Sequence, residues 1–100
     1  MDAILKVSDI TPQDCADYIR LSDPNTDDLN TLTTLINVAK VYVGEYTGHT
    51  IQELDNYKDF IIVVLILVQD MWDNRALYVD KSNVNKVVES ILGLHSVNLL

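Results

Sequence analysis

The chain has 100 residues, 48% of them apolar, with fifteen Asp and Glu against seven Lys and Arg for a formal net charge of −8. A chain this short buries only roughly 60–65% of the surface its unfolded form exposes, so it supports one core, a single domain over residues 1–100, and no second. The acid excess disfavours phosphate-backbone affinity, which comes from Lys and Arg displacing counterions, and it disfavours anionic membrane surfaces for the same reason.

A single cysteine, Cys15, excludes an intrachain disulfide framework and gives no support to a secreted context; its ordinary place is as a small apolar residue. The Met1 end lacks the basic start and long apolar core of a signal peptide. The longest apolar run, Phe60 to Val68, is nine residues, whereas a membrane span needs about 20. The expectation is a soluble intracellular chain.

In chain order, Thr11-Pro12-Gln13-Asp14 signals a helix start, with Thr11 as cap and Pro12 at the first helical position. This helix is predicted to run to about Leu21, with Cys15, Tyr18 and Ile19 as its inward stripe. Ser22-Asp23-Pro24-Asn25 breaks it. Thr26 is read as the cap of a second helix whose apolar positions, Leu29, Leu32, Ile36, Ala39, Val43 and Tyr46, recur at steps of three and four up to Thr47-Gly48. Thr50 to Leu54 reads as a short helical turn or loop.

A third helix is predicted from about Asp55 to about Leu77, roughly 30 Å long. Its apolar centre requires cover on every side, either as the central rod of a small bundle or against another subunit. Leu77 to Asn85 reads as two extended pieces around the polar turn Asp80-Lys81-Ser82-Asn83, a hairpin that would need support. Asn85 then caps a last helix striped by Val87, Val88, Ile91 and Leu92 and ending near Gly93, followed by an apolar tail. The predicted fold is all-α: three to four helices, a long central helix, and a short extended hairpin-like excursion before the last helix.

The search for chemistry returns little. His49 and His95 have no second ligand at zinc spacing, and Cys15 has no nucleophile signature around it. Glycine occurs only at 44, 48 and 93, so no phosphate-cradling loop of the known motifs exists. The acid pairs Asp27-Asp28 and Asp70 with Asp73 read as a helix cap and a solvated face rather than as catalytic carboxyls. Ser8 and Ser22 stand in the wrong order for a carrier-protein motif, and the second helix carries Lys40 alone, too little for a DNA-recognition helix. No catalytic residue, metal or cofactor is expected. What remains is surface: Trp72, Arg75, Tyr78 and Val79 mix aromatic, cationic and apolar character at the end of the long helix, as interface anchors do, although Trp72 suits a core equally well.

The strings Val7-Ser8-Asp9-Ile10-Thr11, Tyr18-Ile19-Arg20-Leu21, Asp27-Asp28-Leu29, Ala39-Lys40, Tyr42-Val43, Tyr46-Thr47-Gly48, Trp72-Asp73-Asn74-Arg75 and Val87-Val88-Glu89-Ser90-Ile91-Leu92 run nearly end to end. Together they resemble the small head-tail connector, or head-completion adaptor, proteins of tailed bacteriophages and prophages. The chain departs from that family's habit at Lys86, often proline there, and at His95 and Ser96, where an aromatic and a basic residue are common.

The resemblance implies a non-enzymatic helical subunit that forms a homo-oligomeric ring beneath the portal protein at the head-tail junction. Such a ring extends the channel through which DNA passes and docks the next head-completion or tail protein. Trp72, Arg75, Tyr78, Val79, Val97, Leu99 and Leu100 are the expected contacts. Residues 1 to 30 hold seven of the fifteen acids and two of the seven bases. Asp23, Asp27 and Asp28 are accordingly the candidates for a negative lumen that would let DNA slide without sticking. The rival reading is a small acidic helical adaptor that binds a regulatory protein and has no connection with virions.

Overall fold

The structure, a computed structural model, describes residues 4–97. It contains α1 (Pro12–Tyr18), α2 (Thr26–Thr47), α3 (Asp59–Asp73) and α4 (Lys86–His95), with 3-10 helices at Val7–Asp9 and Gln52–Asn56. Among the described residues there is no strand, and no helix is long and apolar enough to cross a membrane. The chain is an all-helical bundle.

The capping chemistry fixes where helices begin. At α1 the Thr11 hydroxyl accepts the Asp14 N–H at 3.1 Å while the Asp14 carboxylate accepts the Thr11 N–H at 2.9 Å, a reciprocal capping box with Pro12 behind it. At α2 the cap is Asn25, one residue before the expected Thr26, because the reciprocal partner must stand three residues on. Asn25 Oδ1 accepts the Asp28 N–H at 2.8 Å and Asp28 Oδ2 accepts the Asn25 N–H at 3.1 Å. Replacing Asn25 by alanine should destabilise the protein by about 1 kcal/mol; urea midpoints compare the two, and an unchanged midpoint would mean that water serves those amides as well.

The helix ends are set by backbone reversal. α2 stops where expected, at Gly48 with φ 80. α1 ends at Tyr18 rather than near Leu21, since Arg20 turns left-handed at φ 60 and the Leu21 N–H closes onto the Ala16 carbonyl at 2.9 Å. α3 ends the same way: Arg75 takes φ 55 and the Ala76 N–H reaches the Met71 carbonyl at 3.0 Å, so the helix stops at Asp73 and not at Leu77. Its start is also later than Asp55. Thr50 and Glu53 bond each other reciprocally to begin the second 3-10 helix, and Tyr57, extended at φ −125, separates that helix from α3. The result is a fifteen-residue helix of roughly 22 Å, shorter than the twenty-two-residue α2. α4 passes through Gly93 and ends at His95, because Gly93 stays helical and open on its outer side.

α3 is the central rod. Phe60, Val63, Val64, Leu65, Leu67, Val68 and Met71 are buried, Ile61 and Ile66 pack half-buried on the same core, and only Ile62, 38% exposed, reaches the surface. At about 1.5–3 kcal/mol for each fully buried side chain, α3 contributes more than any other element. α1, α2 and α4 all pack on it, so one chain supplies the cover that the sequence left open between bundle and neighbour. From α2 the core takes Leu32, Leu35, Ile36, Ala39 and Val43, with Leu29 half-buried and Tyr46 largely exposed; α1 adds Cys15 and Ala16. The N-terminal 3-10 helix buries Val7, and the Asp55 carboxylate ties it down by accepting the Ser8 N–H and hydroxyl, each at 2.8 Å.

The predicted hairpin is the main departure. Residues 74–85 form a loop in which the Asn83 N–H bonds the Asp80 carbonyl and the Asp80 carboxylate accepts from the Ser82 N–H and the Asn83 amide, both at 3.0 Å. The short Asp side chain satisfies the turn locally, and Val79 and Val84 rest on the helices rather than forming a ladder.

Candidate interaction surface

The interface residues expected from sequence fall at both ends of α4. Its N-terminal end borders a cavity of about 510 Å³ between the last turns of α3 and the loop, lined in part by Leu67, Met71, Tyr78, Val79, Val84 and Asn85. Val79 is half-buried there, while Tyr78 is 68% exposed. Leu77, 63% exposed, adds a second bare apolar side chain, and Arg75 stands in solvent. Trp72 is half-buried against the core, which makes it more a wall of the bundle than a free anchor. Asp70 also lines the cavity; burial, and then the Asp73 charge, hold its carboxyl above the ordinary aspartate range.

At the C-terminal end of α4, Val97 is partly exposed and its N–H bonds the Thr47 carbonyl at 2.8 Å, which seats the chain on the end of α2. Leu99 and Leu100 lie outside the described residues. Leu94 is 78% exposed, the barest large apolar residue of the described chain, and Val41 and Ile51 flank the adjoining groove along Gly44 and Gly48. Sequence reasoning missed Leu77 and Leu94 as candidates. Leu94 lies one residue beyond the predicted helix end, and Leu77 was assigned to a helix end and a strand start.

Sequence reasoning also missed the meeting of the two histidines. They stack on Tyr57 with ring centroids at 4.9 Å and 4.7 Å, His49 Nε2 bonds the His95 carbonyl at 2.8 Å, and His95 Nε2 lies 3.1 Å from Asp59. A nitrogen bonded to a carbonyl oxygen must carry a proton, so Nε2 of His49 is the donor there. This clasp fixes the end of α4 beside the start of α3, and α4 therefore runs antiparallel to α3. Nothing at the level of local spacing could have joined residues 46 positions apart. Among the described residues no three His, Cys, Asp or Glu side chains are grouped to hold a metal ion.

The three acids assigned to a channel differ in availability. Asp23, at φ 48, and Asp27 are exposed, whereas Asp28 is engaged as the capping partner of Asn25. Comparison with protein-family models, curated proteins and solved structures gives no match.

Proposed function

We propose that this chain is a structural head-completion adaptor of a tailed phage or prophage. Copies assemble as a ring beneath the portal, extend the DNA channel, and offer a docking surface to the next head-completion or tail protein. It acts by shape and contact and carries out no catalysis.

The observation that carries this reading is the pair of unlike apolar clusters on either side of α4: Leu77 and Tyr78 in the loop that precedes it, Leu94 and Val97 at its C-terminal end, with a ten-residue helix of roughly 15 Å between. A ring stacked between a portal and the next protein needs several unlike patches on each subunit, for its neighbours and for the layers above and below, whereas a two-fold dimer needs only one. Because α3 is covered within one chain, assembly would leave the fold of each subunit intact. Asp27, free at the first turn of α2, is the best-placed carboxylate for a channel wall.

Electron microscopy of the purified protein mixed with its portal is the test. A second ring stacked on the portal is the expected result; portal rings without added density, beside a monomeric protein, would sink the reading and leave the regulatory adaptor in its place.

A further inference from the structure

Three of the chain's seven bases, Arg75, Lys81 and Lys86, fall between Asn74 and Lys86, where the one acid, Asp80, is turned inward on its own loop. Two of the three stand against local preference. Arg75 occupies a left-handed helix-end position, φ 55, where glycine is the ordinary residue. Lys86 is the first residue of α4, where the helix dipole favours an anion. Neither cation is repaid within the fold: among the described residues no Lys or Arg lies within 4.0 Å of a carboxylate, and the ion pairs present involve only the two histidines. Leu77 and Tyr78 stand bare in the same loop. Exposed aromatic, apolar and cationic side chains together are the composition of an interface anchor.

The complementary surface is on the same chain. Between α1 and α2 an open recess of about 750 Å³ is lined in part by Gln13, Asp17, Leu21, Asp23 and Pro24, with Arg20 its single base and the Gln13 amide donating to the Asp17 carboxylate at 2.9 Å. We propose that the Arg75–Lys86 loop of one copy docks on the acidic α1–α2 corner of a second copy, with Arg75 set between Asp17 and Asp23. The contact joins unlike surfaces and so repeats head to tail. It deepens the ring reading, rests on it for closure, and leaves the Leu94–Val97 end for the layers above or below the ring. It also moves Asp23 from the channel wall to the subunit contact and leaves Asp27 facing the lumen.

The test uses two neutralised variants of the full chain, Arg75→Gly/Lys81→Ala and Asp17→Asn/Asp23→Asn, in sedimentation velocity at low and high salt. Wild type should self-associate at low salt and dissociate at high salt, because exposed charge pairs are screened. Each variant alone should associate about tenfold more weakly. An equimolar mixture should restore one junction only, giving 1:1 pairs and nothing larger.

Arg75→Gly alone should also raise Tm, by about 4 °C, while weakening association. Arg20→Gly gives the same backbone relief at the other left-handed arginine but should tighten association, because it removes the corner's one base; a purely structural role for Arg75 would not separate the two. If free wild type is monomeric, the same comparison is made on the portal. Rings that the Arg75→Gly/Lys81→Ala variant forms as well as wild type overturn this contact and leave the ring reading standing. Failure of wild type to assemble even on the portal removes both.

Discussion

Replacing Phe60 by alanine is expected to cost about 3–5 kcal/mol, a large part of the 5–15 kcal/mol that holds a domain of this size together. Phe60 is the largest fully buried side chain, at the first turn of α3. Its ring meets Tyr57 at 5.0 Å and the edge of His95 at 5.3 Å and 89°, so its removal opens a cavity and also strips one wall from the clasp that holds the end of α4. One wall of the gap, Tyr57, is held between two histidine rings, so the cavity closes only in part. Thermal unfolding should move down by roughly 20 °C, and Phe60→Leu, which keeps most of the volume, should cost under about 1.5 kcal/mol. A shift below about 1 kcal/mol for alanine would mean that the end of α4 does not depend on this ring.

The elements that could be read from the sequence are those whose signals are local. Thr11 with Asp14, Gly48 after Thr47, and Asn85 before α4 each act through hydrogen bonds or backbone freedom within a few residues, and each stands where its pattern placed it. The α2 stripe was legible because Leu32, Ile36, Ala39 and Val43 face one core along an unbroken helix. The errors share a cause. Arg20 and Arg75 end helices in a conformation usually taken by glycine, so neither position reads as a stop, and both helices were drawn too long. The hairpin failed because the run Leu77, Tyr78 and Val79, rich in strand-forming residues, suits a strand and a loop laid on helices equally well, and only the tertiary surface decides between them.

The candidate surface was legible in composition and not in geometry. Arg75 and Tyr78 were identifiable as interface types and are exposed, but the sequence could not separate them from Trp72, which the bundle half covers. Pairing His49 with His95, or bringing Asp17 and Asp23 to one recess at the α1–α2 corner, depends on how the helices pack, which no local spacing encodes. Departures from local rule are where function is expected to leave its mark, and Arg75 and Lys86 are such departures.

Cys15 gives the sharpest solution readout of the whole fold. It is fully buried on α1, and burial, reinforced by the neighbouring Asp14 charge, pushes its thiol from 9.0 up to about 12. Three pH units reduce the thiolate fraction near pH 8 about a thousandfold, and the thiolate is the reactive species. Native protein should therefore react with a thiol reagent such as DTNB at least about a thousandfold more slowly than the urea-unfolded chain, and only through molecules that have opened. Phe60→Ala should accelerate labelling by roughly 10²–10⁴, the loss of 3–5 kcal/mol expressed as open population. The same thiol sets a pH limit. The unfolded chain loses its proton near 9.0 and the folded chain near 12, so the contribution of the neutral thiol is full below pH 9 and is lost as pH rises through 9 to 12. Native labelling within about tenfold of the unfolded rate would place Cys15 at the surface, and would reopen the thiol chemistry that its burial argues against.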